Sequence, residues 1–406
     1  MARSIQPKPK SAGVANSGIS NVAQRMGDFR LQLAPIPDSF ARMQYFLREI
    51  GQGPKGKRDL TREEAREALS LILGQEVAPA QAGGFLLIQR FKGESPAELY
   101  GFAEAYREGA NLVRPAVRGL LDVGSPYDGR KRSIVVSPVS SIVAAAAGVP
   151  VVMHGEKGLG PKHGVPVGDV LEALGVDVDA APDLVAQSIE QHGFGYMRSA
   201  HFVPRVYGVR ALREEIALRS CLNTIEKISN LAGADYSIIG LTHLPYVKKM
   251  MTAATNMEFK RILIVQGIEG NEDVPTSRAC RGFLWERGEP GTQNLEPRTE
   301  DEEADGEADA GLAGAVEMRI DASEYGLQPA TREEMAGGDA EENAAIARRV
   351  LDGGPGGHRD LVLLNAGVRI WLAERAPGIG EGIARARQAV DTGAAKAKLE
   401  ELQRRG

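Results

Sequence analysis

Residues 121–175 read LDVGSPYDGRKRSIVVSPVSSIVAAAAGVPVVMHGEKGLGPKHGVPVGDVLEALG, and the fold depends on how this stretch is parsed. Two short apolar runs, at 133–136 and 149–153, each adjoin a glycine-rich polar turn. Between them lies an alanine-rich segment suited to a closely packed helix. This alternation predicts an α/β unit that presents loops at its strand ends. Such loops gather backbone N–H groups where an anion can approach, and Lys157, Lys162, His154 and His163 add positive or titratable groups. A phosphate-bearing ligand is the expected occupant.

Upstream, residues 38–112 read as a small helical domain. Thr61 with Glu64 forms a capping box ahead of Ala65, Ala68, Leu69 and Ile72. Ser95 with Glu98 repeats the device, with Pro96 at the first helical position. Residues 1–37 carry Pro, Ser, Gly and Asn with little periodicity, which predicts a disordered basic arm. Downstream, helical periods are expected at 183–192, 209–231, 339–351 and 379–402, and strands at 262–265 and 316–320. Segment 190–235 is expected to add helices to the helical domain, and 113–406 to form the α/β domain. Residues 296–309 form an acidic low-complexity insertion.

Composition is that of a globular chain, with 43% hydrophobic and 25% charged residues. No apolar run approaches the roughly 20 residues needed to span a bilayer, and the N-terminus lacks the apolar core of a signal peptide, so a cytoplasmic protein is expected. Cys221 and Cys280 are expected to be free. The net charge of -5 conceals an asymmetry. Residues 286–342 hold 18 acids against 4 bases, whereas 195–262 hold 10 bases against 5 acids. A local basic face can therefore exist on an acidic protein. Lys248, Lys249, Lys260 and Arg261 are the candidates for nucleic-acid contact, or else members of solvated surfaces.

The central stretch resembles anthranilate phosphoribosyltransferase and its relatives among the phosphoribosyltransferases and nucleoside phosphorylases. Gly124-Ser125-Pro126-Tyr127-Asp128-Gly129 stands where that family has Gly-Thr-Gly-Gly-Asp-Gly. Residues 133–138 stand where it has Thr-Phe-Asn-Ile-Ser-Thr, and His154-Gly155 where it has Lys-His-Gly. The Tyr-Asp-Gly-Arg turn followed by a Gly-Glu-Lys-Gly loop is most similar to a divergent paralogous branch whose members bind nucleic acid. The resemblance spans about residues 38–406. It implies a helical N-terminal domain that supplies a homodimer contact, an α/β domain with a mostly parallel sheet, and magnesium held by Glu272 and Asp273. It also implies that Asp128 and His154 are catalytic. Gly124, Ser125, Gly129, Ser137, Lys157, Lys162 and Arg213 are implied to bind substrate.

Residue by residue, alternatives stay open. His154 is a site residue or a histidine bonded to backbone, Glu272 and Asp273 are metal ligands or solvated loop acids, and Arg213 contacts substrate or an acid of its own helix. Departures from the family pattern bear on activity. Pro126 removes an N–H donor and fixes φ, and Tyr127 puts a ring where glycine backbone would meet the diphosphate. Val135 and Pro138 replace two polar residues. At about 1–3 kcal/mol per hydrogen bond to a charged group, the loss amounts to several kcal/mol. Two functions are thus expected: a phosphoribosyltransferase-like enzyme with a degenerate sugar-diphosphate site acting on an anionic small molecule, or a nucleic-acid-binding homodimer.

Overall fold

The computed structural model describes residues 37–53, 55–288 and 313–403. The expected basic arm, through residue 36, and the acidic segment 296–309 lie outside the described residues. Among the described residues four helices come first: α1 Asp38–Gly51, α2 Arg62–Leu73, α3 Pro79–Lys92 and α4 Pro96–Glu108. Both capping boxes form. The Thr61 and Ser95 hydroxyls accept from the N–H groups of Glu64 and Glu98, whose carboxylates accept in return from the two capping N–H groups.

A seven-stranded sheet follows in the order β3-β2-β1-β4-β5-β6-β7. Its strands are β1 Leu121–Gly124, β2 Val151–Gly155, β3 Phe194–Arg198, β4 Tyr236–Gly240, β5 Arg261–Val265, β6 Cys280–Glu286 and β7 Val316–Ile320. The first five are parallel, and β6 and β7 run antiparallel at one edge. The central strands β1 and β4 are buried along their whole length because both faces are covered, and they carry one polar residue each, Asp122 and Ser237. Ile238, Leu263 and Val265 point into one core, against α5 Ser137–Ala146 and the C-terminal helices α9 Ala340–Leu351, α10 Gly357–Leu372, α11 Ile379–Asp391 and α12 Ala394–Gln403. Ile239, Ile262 and Ile264 point into the other, against the helical domain, α6 Pro182–His192 and α8 Tyr246–Ala254.

α10 and α11 cross closely. A Cβ on Gly382 would lie 2.3 Å from the Gly367 carbonyl oxygen, so this crossing requires glycine.

Three sequence expectations are corrected. Residues 133–136 are not a strand: their backbone bonds outside the sheet, with the Ile134 N–H on the Met335 carbonyl and the Val135 N–H on the Asn343 side chain, and Val136 already turns into the following helix. The strand lies earlier, at β1. The helix expected over 209–231 ends at Ile216, as α7 Arg210–Ile216, because Ala217 turns left-handed at φ 53°. The helix expected over 379–402 breaks between α11 and α12, where Gly393 has φ 76°.

Candidate functional site

In a parallel sheet, ligands bind beyond the carboxyl ends of strands, where the strand order reverses. Here the order reverses between β1 and β4, and the loops after these two strands line a cleft of about 560 Å³ closed on its other side by α3. Arg90, Phe91 and Glu94 face it from the helical domain. Tyr127, Asp128, Arg219, Lys227, Tyr246 and Lys249 face it from the α/β side.

The loop after β1 is tightly built. Gly129 sits at φ 68°, and a Cβ there would come within 2.5 Å of Gly164, so the turn can close on the 164–165 backbone only with glycine. Asp128 is buried and accepts two bonds from Arg219, at 2.9 Å from Nε and 2.6 Å from Nη2. Tyr127 is 3% exposed, its ring edge-on to His154 and its hydroxyl 2.9 Å from His154 Nδ1. His154 Nε2 lies 3.0 Å from Asp122 Oδ1. Burial opposes the imidazolium charge, but Asp122 outweighs it and raises His154 above its ordinary range. His154 is therefore the middle member of a buried Asp122–His154–Tyr127 chain and does not line the cleft. Tyr127 stands between them.

Behind this loop lies a fully buried charge cluster. Glu272 and Asp273 are both 0% exposed, which corrects the reading of solvated loop acids. Asp273 accepts from Arg130 and, at 3.0 Å, from Arg369 on α10. Burial pushes its carboxyl up, and the two guanidiniums outweigh this and hold it below the usual range. Glu272 Oε1 accepts from Ser125 at 2.7 Å and from Ser137, whose hydroxyl also lies 2.9 Å from Asp273. Glu272 Oε2 has no hydrogen-bond partner among the described residues.

The remaining candidates disperse. Lys162 is half-buried and, with Arg219, faces Asp128; burial first and Arg219 second lower its pKa. Lys157 is bound to Glu172 at 2.6 Å, outside the cleft. Arg213 forms a buried ion pair with Glu226, which corrects the expectation that it contacts substrate. The four nucleic-acid candidates do not share one face. Lys248 and Lys249 lie on the first turn of α8, at the carboxyl end of the sheet. Lys260 and Arg261 lie at the opposite end of β5, bound to Asp235 at 2.8 Å and to Glu286 at 2.5 Å.

Four central residues escaped sequence reading: Asp122, Arg219, Lys227 and Arg369. Only Arg369 left a signal, since Asn365 and Arg369 are spaced i, i+4 in the otherwise apolar run of α10. Lys227 is 8% exposed, donates to the Gly240 carbonyl at 3.0 Å, and is pushed down to about 8 by burial and then by Arg219.

The comparisons agree with this architecture. The helical bundle domain of a glycosyl transferase family matches residues 44–110, and its α/β domain matches residues 123–300 and 288–396. The chain is 34% identical over 346 residues to the anthranilate phosphoribosyltransferase of Methanocorpusculum labreanum, covering 85% of this chain and 93% of that one. It is 34% identical over 362 residues to that of Natronomonas pharaonis, covering 89% and 98%. Among solved structures, the Thermus thermophilus anthranilate phosphoribosyltransferase superposes with a TM-score of 0.72 at 31% identity, covering 89% of this chain and 98% of that one. The Saccharomyces cerevisiae enzyme in complex with PRPP and Mg superposes at 0.73 and 19% identity, over 89% and 97% of the two chains, and shows the shared fold. With both domains matched in order and the relatives covered almost end to end, the chain belongs to the glycosyl transferase family that contains the anthranilate phosphoribosyltransferases.

Proposed function

We propose that this chain is a phosphoribosyltransferase-like protein whose sugar-diphosphate site is degenerate, so that anthranilate transfer is weak or absent and the interdomain cleft holds an anionic small molecule. The observation that carries the reading is Tyr127, whose buried ring fills the turn where backbone N–H groups would meet the diphosphate. Arg213 supports it, being committed to Glu226 and so withdrawn from an acceptor.

Magnesium is the cofactor the family implies, and the donor set suits it in kind: carboxylate and hydroxyl oxygens, with Glu272 Oε2 free of any hydrogen bond. Glu272, Ser125 and Ser137 are the groups that would hold it, and Asp273 would join only by releasing Arg130. Bound there, the ion would neutralise diphosphate charge. The chain's own residues do the remainder: Arg219 orients Asp128, and Tyr127 holds His154 out of the cleft. A homodimer formed through the helical domain belongs to the same proposal, with sedimentation velocity as its check.

Calorimetry with PRPP and magnesium tests the reading. The loss of one N–H and two polar side chains should weaken binding by about two decades or more relative to the Thermus thermophilus enzyme assayed alongside. Micromolar binding with anthranilate turnover would overturn the proposal.

A second reading, contact with single-stranded nucleic acid at the cleft mouth, is favoured by Phe91, which is 80% exposed beside Arg90 on the cleft that Lys249 also lines. An aromatic ring among cations suits base stacking. Affinity for an oligonucleotide should then fall by about 0.7 decades per decade of salt for each phosphate contact, and Phe91→Ala should weaken it. Absence of binding at low salt would remove this reading.

A further inference from the structure

Lys227 is a buried cation with unusual surroundings. Lys227 lines the interdomain cleft, and among the described residues its ammonium makes one hydrogen bond, to the Gly240 carbonyl at 3.0 Å. No carboxylate oxygen lies within ion-pair distance of Lys227 among the described residues, whereas Lys92 and Arg130, equally withdrawn from solvent, sit on carboxylates. An ammonium has three protons, so two remain to be matched, and a buried donor left unmatched is destabilising.

The charges around Lys227 sharpen the point. Arg219 and Lys162 add positive charge, and Asp128 and Glu272 add negative charge. Asp128 is spent on Arg219, and Glu272 is screened by the Ser125 and Ser137 hydroxyls. The cleft's own carboxyl, Glu94, accepts from Tyr246 at 3.1 Å, and burial pushes it up toward the neutral form. What the cleft offers a ligand is therefore a fixed ammonium on its floor, the edge of the Arg219 guanidinium, and Lys249 and Arg90 at its margins.

We propose that Lys227 is the anchoring cation of an oxyanion subsite in this cleft, which takes the phosphate group of a small phosphomonoester without a divalent metal. The inference rests on the reading that the cleft holds an anionic small molecule, and it names the class of that molecule and the residue that recognises it. Burial makes the ammonium costly when the cleft is empty and raises the value of each charge-assisted bond once a phosphate is seated. Glu272 adds negative charge near Lys227 but does not line the cleft, so this subsite has cations in the place of a bridging ion.

The test uses the full chain with ribose 5-phosphate as probe in EDTA. Calorimetry should show saturable binding, and Lys227→Gln should weaken it by about tenfold or more, as expected for loss of one charge-assisted bond. Lys227→Arg should retain part of the affinity. A second measurement needs no variant. Formaldehyde with borohydride should methylate Lys227, seen by peptide mass, and ribose 5-phosphate should suppress that label. Equal affinity in Lys227→Gln, binding that appears only with magnesium, or an unlabelled Lys227 would overturn the proposal. PRPP with magnesium is titrated in parallel. Tight binding there would sink the degenerate-site reading itself. Weak PRPP binding with no ribose 5-phosphate binding would sink the Lys227 subsite alone.

Discussion

Asp273→Ala is expected to cost about 3–5 kcal/mol of stability, a large share of the roughly 5–15 kcal/mol by which a domain is folded. The carboxylate is fully buried and neutralises Arg130 and Arg369, and Arg369 is itself 0% exposed on α10. Removing the acid leaves Arg369 without a counter-charge and Arg130 with only the longer contact to Glu272 at 3.7 Å. Paired charges alone are weak evidence of stabilisation, but breaking a buried pair from one side is costly. This departs from what two acids in a loop suggest, namely that their removal leaves the fold intact. The same cluster sets a pH dependence. Asp273 is held below the ordinary carboxylate range in the folded chain, so its contribution is present above that range and is lost as pH falls through its folded value. Urea midpoints across the acid range should therefore drop more steeply for the wild-type chain than for Asp273→Asn, which begins lower. Equal midpoints for wild type and Asp273→Ala at neutral pH would show that the arginines find other partners.

Restoring glycine in the turn after β1 should have two opposed effects. Pro126→Gly returns one N–H and frees φ, and Tyr127→Gly removes the ring that fills the turn. With two recovered bonds to a charged ligand at about 1–2 kcal/mol each, affinity for PRPP with magnesium should rise by about thirtyfold to several hundredfold in the double variant. Stability should fall by about 3–5 kcal/mol, the usual cost of deleting a buried aromatic side chain, and His154 loses its hydroxyl partner at 2.9 Å. The single Pro126→Gly variant separates the two effects, since it keeps the ring. Calorimetry on both variants, with melting curves to establish the folded fraction, is the measurement. No gain in the folded double variant would place the defect elsewhere, with Arg130 on Asp273 as the next suspect.

The limits of sequence reading follow from these residues. That Pro126 and Tyr127 change the φ freedom and the N–H count of the turn after β1 is visible in six letters, because these are properties of the residues themselves. That Tyr127 also seals His154 away from the cleft is not visible, since the partner comes from β2. Arg213 and Glu226 stand 13 residues apart, with a left-handed turn at Ala217 between them. A helical period carried through that stretch would put them on different turns of one helix, whereas the turn folds them together. The four basic candidates failed as one surface for a similar reason: α8 carries the chain from one end of the sheet to the other between Lys249 and Lys260.

What the amino-acid order alone determined is local. Capping boxes at Thr61 and Ser95, apolar runs of strand length, and the make-up of the turn at 124–129 all act within a few residues, where backbone geometry and hydrogen-bond reach decide the outcome. With the resemblance these yield the helical domain and the parallel sheet. Tertiary structure decided which charge neutralises which. Asp273 meets Arg369 across 96 residues, and Lys227 reaches the cleft without a carboxylate. Such pairings depend on distance and desolvation, which a single chain of letters does not contain: the same Asp is a solvated loop acid in water and a structural counter-ion once burial and two guanidiniums surround it.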